Sequence, residues 1–205
     1  ALMTLLWERS RANPFFAEQM LLHFRETGAL IQTPTGEWDV QPGSITMSAD
    51  VHTMLVARID RLTHQVRQVV QAAAVLGFEF DVQLLSKMLY TDIFVEVLEA
   101  EQGQIWHLLS ELRYIFKHAL LRDAAYDMQL HSRLRELHYL AAMTTEQIYA
   151  DQLPSYYDIL AYHYKNAYQL GMDAAAERTL HYLRKAGEAA QKNFANVAAL
   201  DYYEQ

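Results

Sequence analysis

His118 stands where a residue could do chemistry. It follows the alternating run Leu112–Phe116 and opens an amphipathic helical stretch, within Tyr114–His138, YIFKHALLRDAAYDMQLHSRLRELH. Where a strand becomes a helix, the first backbone N–H groups lack intrahelical partners and negative charge is favoured. An imidazole at that point can donate a hydrogen bond to a phosphate oxygen. The plainer role is a structural histidine bonding a backbone carbonyl. Pro14, after Asn13, reads first as a helix-start proline.

Other chemical groupings dissolve into ordinary helix faces. His131 and His138 are seven residues apart and so share a face, but no i, i+4 histidine pair and no HExxH accompanies them. No metal site is expected. Glu96, Glu99 and Glu101 could be drawn as an acid and a base, yet a charged helix face explains them, and no catalytic residue is assigned. There is no GxxxxGK(S/T), hence no phosphate cradle. The chain is therefore not expected to be an enzyme by itself or to bind ATP well.

The elements around these residues must be built from 205 residues, 52% of them apolar, enough for one sizeable core or two small ones. Without cysteine there is no disulfide, thiolate metal site or cysteine nucleophile, and a reducing compartment fits. A cytoplasmic location is expected. The longest apolar run is far below the ~20 residues of a membrane span, so no membrane partner is expected. The formal net charge of −8 repels polyanions and leaves proteins or small molecules as partners. The opening ALMTLLWERS reads as a chain entered inside a helix, as expected of a piece of a longer protein.

Asn13-Pro14 starts a helix with Phe15, Phe16, Met20, Leu21 and Phe24 in register. Gly28, Pro34, Gly36, Pro42 and Gly43 mark residues 28–48 as a connector, in which Glu37–Val40 forms a short strand or lays Trp38 on the surface. Ser48 or Asp50 caps a helix running to Leu62, with Val51, Leu55 and Ile59 apolar. A second spans Thr63–Leu76, with Val66, Val69, Val70 and Ala73 inward, and stops at Gly77. A third starts at Asp81 with Leu84, Leu85, Met88 and Leu89 inward. A fourth, capped by Asp92 and ended by Gly103, carries Phe94, Val95, Val97 and Leu98. Then Gln104–Leu109 and Leu112–Phe116 alternate as a hairpin through Ser110-Glu111, with Ile105/His107 and Leu112/Tyr114/Phe116 in phase.

From His118 to about Ala150 the pattern predicts one long helix, or two joined near Thr144. Pro154 breaks it, and helices near Ser155–Leu170 and Asp173–Lys192 follow, with Gly171 between them. Leu183, Ala186, Gly187, Ala190, Ala199 and Tyr203 sit at tetratricopeptide-repeat offsets, where small residues let paired helices approach. Leu160, Ala161, Tyr164, Ala176, Leu180 and Leu183 suit an earlier copy, and an ordinary helical hairpin is the alternative. The fold class expected is mostly α: a winged helix with a small β-hairpin wing, followed by tetratricopeptide-like helical pairs.

Three pieces in order carry a family resemblance. SRANPFFAEQML resembles the lid-helix motif of the STAND class of signal-transduction ATPases, ADVHTMLVARIDRLTHQVRQVVQAAAVLG the start of the following winged helix, and YIFKHALLRDAAYDMQLHSRLRELH its end. The flavour is that of bacterial members often fused to a class III adenylate or guanylate cyclase. The resemblance implies the end of the ATPase lid at 1–27, a linker at 28–48, a winged-helix domain at 49–145 and truncated tetratricopeptide-like repeats at 146–205. Ala12-Asn13-Pro14 is similar to the family's Gly-x-Pro, whose proline packs on adenine, with alanine replacing glycine. Lys117-His118-Ala119 is similar to its Met-His-Asp, whose histidine touches the β-phosphate of ADP, with Ala119 replacing aspartate. Pro14 and His118 would thus contact nucleotide in the parent, which would bind ATP or ADP with magnesium; no cofactor is expected in this segment itself.

The function implied is a non-catalytic regulatory and protein-interaction segment controlling a linked cyclase or other output. Its partners would be the upstream ATPase domain of the same chain and a protein on the helical repeats. The alternative is a fragment of a STAND-type transcriptional activator. Against DNA contact through the winged helix, the candidate reading helix Thr91–Ala100 carries Asp92, Glu96 and Glu99 and no Arg or Lys.

Overall fold

A computed structural model describes residues 2–10, 13–34, 36–41 and 51–205. The described residues are mostly helical, with eleven α-helices and two small antiparallel sheets. They fall into two compact units, residues 1–63 and 64–205.

The first unit contains α1 (Leu2–Ser10), α2 (Pro14–Glu26), β1 (Leu30–Gln32), β2 (Trp38–Val40) and α3 (Val51–Asp60). Asn13 starts α2 as its pattern requires: its side chain accepts from Phe15 N at 3.0 Å, and Pro14 occupies the first helical position, where no donor is lost. The Glu37–Val40 segment is a strand and also keeps Trp38 exposed; Leu30 pairs with Val40 and Gln32 with Trp38. Leu2, Leu6, Met20, Phe24, Ala29, Val40 and Met54 form the core. Arg58 is buried with its guanidinium donating to Gln19 Oε1 at 2.8 Å, so the charge keeps a polar partner. The caps expected at Ser48 or Asp50, and Ala12 of the Gly-x-Pro-like motif, lie outside the described residues.

The second unit begins with α4 (His64–Leu76), β3 (Glu79–Asp81), α5 (Val82–Leu89), α6 (Phe94–Gln102), β4 (Trp106–Ser110) and β5 (Arg113–Phe116). Val66, Val69, Val70 and Ala73 of α4 are buried as their spacing implies, and Gly77 at φ 137° releases the chain from the helix. The hairpin is not alone. β3 adds to it in the order β3-β5-β4, pairing Phe80 with Tyr114 and Asp81 with Arg113. Three residues are too few to show a period, and Asp81 doubles as the N-cap of α5, accepting from Gln83 N and Leu84 N.

Two details of this region differ from the expected pattern. Gly103 ends α6 as its C-cap, as expected, but the left-handed residue is Gln104 (φ 60°), and Ile105 N reaches back to Ala100 O at 2.9 Å. Ile105 is thereby buried before the strand begins, and Trp106 rather than His107 turns inward against Phe80 and Phe116. Ile93, just before α6, and Val97 and Ala100 on it are buried, whereas Phe94, Val95 and Leu98 are exposed. Asp92 still supplies its carboxylate to Phe94 N at 3.0 Å.

The helices α7 (Ala119–Asp127), α8 (His131–Ile148), α9 (Tyr157–Gln169), α10 (Ala176–Lys192) and α11 (Asn196–Glu204) complete the unit. A 3-10 helix, Ala150–Tyr156, carries Pro154. The break between α7 and α8 falls at 128–130, not near Thr144. Gln129 causes it: its side-chain amide donates to Gln71 O at 3.0 Å and Ala125 O at 3.2 Å, tying the turn to α4, and Leu130 is extended. Thr144 and Thr145 lie buried inside an uninterrupted α8.

Ala142, Leu160, Ala161, Tyr164, Ala167, Tyr182, Leu183 and Ala186 form a core among α8, α9 and α10. Leu180, expected in the earlier helical pair, is instead exposed. Gly187 is buried on α10, and a Cβ added there would lie 2.6 Å from the Tyr203 ring of α11. Gly187→Leu is therefore expected to lower stability by ~1–3 kcal/mol through overpacking. Gly187→Ala should cost less, because the half-exposed Tyr203 ring can swing aside. An unchanged urea midpoint for the leucine variant would contradict the packing.

Candidate functional site

The two residues singled out for nucleotide contact each sit at a helix start, in different units. Pro14 opens α2 and is exposed. His118 is half-buried, extended (φ −151°, ψ 144°), and is the N-cap of α7. Its Nδ1 accepts from Leu120 N at 3.2 Å, and its carbonyl accepts from Leu121 N at 3.0 Å. A histidine that accepts through Nδ1 carries its proton on Nε2, so the cap selects the tautomer. The side chain is then a helix cap on one nitrogen and a donor on the other. Lys117 N, bound to Ile105 O at 3.0 Å, fixes the preceding backbone on the sheet.

Further along α7, Arg122 is committed to the fold. Its Nε donates to Ala74 O at 2.8 Å, its guanidinium meets Asp123 Oδ1 at 3.1 Å, and it lies 5.0 Å from the Tyr126 ring centre.

Beside it runs a buried polar chain that the spacing of the histidines concealed. Tyr126 Oη lies 2.8 Å from His138 Nε2, and His138 Nδ1 lies 2.9 Å from His163 Nδ1. His138 and His163 are 0% and 2% exposed. Burial pushes His138 down to about 4 and His163 down to about 3; the other histidine adds to the shift at His163, and Arg122 to both. Both rings are neutral at pH 7, so the Nδ1–Nδ1 contact has one donor and one acceptor. His131, at the start of the same helix, is exposed. The signal available was the apolar company: Leu134, Leu137 and Ala141 around His138, Leu160 and Ala167 around His163. Among the described residues no group of three or more His, Asp or Glu side chains is placed to hold a metal ion.

A third feature is the exposed apolar surface of α6 and the hairpin. Phe94, Val95 and Leu98 stand out from α6, and Leu108, Leu109 and Leu112 from β4 and its turn. Among the residues of α6 are Glu96, Glu99 and Glu101 and no Arg or Lys, a surface suited to apolar contact rather than to phosphate. No helix of the described residues is long and apolar enough to cross a membrane. Comparison with protein-family models, with curated proteins and with solved structures finds no match to this chain.

Proposed function

We propose that the chain is a non-catalytic regulatory and protein-interaction segment of a bacterial STAND-class signalling ATPase. It would comprise the end of the lid helix, a winged helix and the first tetratricopeptide-like pairs, and would control a linked cyclase or other output. The observation that carries this reading is the state of His118. It caps α7 through Nδ1 at the point where β5 gives way to the helix, the place the Met-His-Asp-like reading requires, and on that reading its Nε2 proton would go to a phosphate oxygen. The order α4, β3, α5, α6, β4, β5, with β3 paired to β5, supports the winged helix. The close approach of α10 and α11 at Gly187 supports the repeat-like pairs.

The 205 residues contain no phosphate loop, so ATP or ADP with magnesium would be held by the upstream domain, and this chain would add one donor to the β-phosphate. Pro14 would lie against adenine. An α6 with apolar and acidic residues outward favours protein over DNA as the partner of the winged helix.

The test begins with the coding sequence upstream of Ala1, where a Walker A motif is expected. In the full-length protein, His118→Asn supplies a capping oxygen in place of Nδ1, whereas His118→Ala supplies no cap. A charge-assisted contact of ~1.5–3 kcal/mol is worth roughly a ten- to hundredfold shift. Both variants should therefore release ADP faster by that factor and raise basal output. An unchanged ADP off-rate in both would leave His118 with the structural role of a cap and defeat the reading.

A further inference from the structure

Within the second unit a cavity of about 330 Å³ lies between β3 and the helices α5, α8 and α9. Its polar lining includes Asp81, Glu79, Arg113, Tyr149, Tyr156 and His163, with Phe80, Leu84 and Ile159 among the apolar walls. Three observations give it a chemistry. Glu79 and Arg113 pair with each other at 3.6 Å, so the carboxylate of Asp81 leaves the lining with one net negative charge. Both helix-capping bonds of Asp81 go to Oδ1, and among the described residues Oδ2 has no hydrogen-bond partner. Tyr149 and Tyr156 stack with ring centres 4.0 Å apart and planes at 12°, a flat aromatic wall.

The decisive member is His163. It is 2% exposed, lines the cavity, and among the described residues bonds only His138, through Nδ1. Among the described residues no hydrogen bond reaches its Nε2, which is left for whatever enters the cavity.

We propose that this cavity binds a small aromatic amine, with the ammonium on Asp81, the ring against Tyr149 and Tyr156, and a hydroxyl at the far end donating to His163 Nε2. The volume falls in the range of small-ligand sites, and the aromatic wall beside a carboxylate suits an organic cation. Acceptance at His163 Nε2 has a defined sequel: the His163 proton sits on Nδ1 and is donated to His138 Nδ1. His138 then carries its proton on Nε2 and donates to Tyr126 Oη. The ligand therefore sets the direction of a hydrogen-bond chain ending on α7, with no change in net charge. This inference is independent of the proposed function, since it concerns the chain alone.

Tyramine is the probe, titrated calorimetrically into the 205-residue chain, with phenethylamine and 4-hydroxyphenylacetate beside it. Tyramine is expected to bind with Kd between about 10 µM and 1 mM. Phenethylamine, without the hydroxyl, should bind several-fold more weakly, and the carboxylate should not bind. Asp81→Asn keeps the helix-capping oxygen and should weaken tyramine about tenfold or more. Leu84→Trp should fill the cavity and abolish binding; the urea midpoint of each variant checks that it is folded. Ring ¹⁵N resonances of His163 and His138 should shift with tyramine and not with phenethylamine. No tyramine binding, equal binding by Asp81→Asn, equal or tighter binding of the carboxylate, or tyramine binding without movement of the His163 resonances would each overturn the proposal.

Discussion

Acidification from pH 7 to about 4.5 is expected to destabilise the second unit by about 4 kcal/mol through two residues, His138 and His163. In the unfolded chain each histidine takes up a proton near pH 6.5. In the fold, burial holds them down to about 4 and about 3. Between those values the unfolded state binds more protons than the native one, so stability rises with pH. The contribution is fully present above pH 6.5, declines at up to ~1.4 kcal/mol per pH unit for each histidine, and is gone below pH 3. With both rings protonated the Nδ1–Nδ1 bond is lost as well, because both nitrogens are then donors. The measurement is a series of urea titrations from pH 7.5 to 4.5 on the wild type and on His138→Leu, His163→Leu. The double variant should lose most of the slope whatever its stability at neutral pH. Parallel slopes would show that the acid sensitivity lies in the carboxylates.

Glu146→Ala is expected to cost about 2–4 kcal/mol, nearly all of it from stranding two buried phenols. Glu146 of α8 accepts from Tyr164 Oη of α9 at 2.5 Å, from Tyr182 Oη of α10, and from Arg178 of α10 at 2.5 Å. The two phenol rings stack at 5.6 Å with planes at 4°, and are 1% and 3% exposed. Burial first and Glu146 second raise both phenols, Tyr182 up to about 12 and Tyr164 beyond, so both remain donors through the neutral range. The Arg178 contact is largely exposed and adds little, being screened by water. Glu146→Gln retains one acceptor oxygen and should cost about half as much. Thermal unfolding of the three proteins at pH 7 gives the order; an alanine variant within ~0.5 kcal/mol of the wild type would mean that water replaces the carboxylate at no cost.

These two centres mark where sequence reading stops. The helix starts at Asn13 and Asp81 and the helix stop at Gly77 were legible because each depends on a few adjacent residues. So was β5, where Tyr114 and Phe116 alternate inward. Glu146 with Tyr182, and Gln129 with Gln71, are 36 and 58 residues apart, and nothing local announces them. The α7–α8 break was misplaced for that reason: a side chain reaching a distant carbonyl stops the helix, where Thr144 gave a composition signal without a cause. Of the apolar residues Phe94, Val95, Val97 and Leu98 only Val97 is buried, because an apolar stripe does not say which face is covered. At the candidate site, the position of His118 at the strand-to-helix junction could be read from the chain, but the nitrogen it spends on the cap could not.

The tryptophans give the molecule an internal pair of optical reporters. Trp7 and Trp38, in residues 1–63, are 69% and 57% exposed, whereas Trp106, in residues 64–205, is 0% exposed and donates its indole N–H to Val97 O at 3.1 Å. Trp106 will therefore emit at shorter wavelength and resist a water-borne quencher, while the other two emit as solvated indoles and are quenched. Excitation through the 13 tyrosines weights the signal further toward Trp106, whose ring lies 6.3 Å from that of Tyr114. One emission spectrum, recorded with and without acrylamide, thus separates the melting of the two units without a label or a mutation.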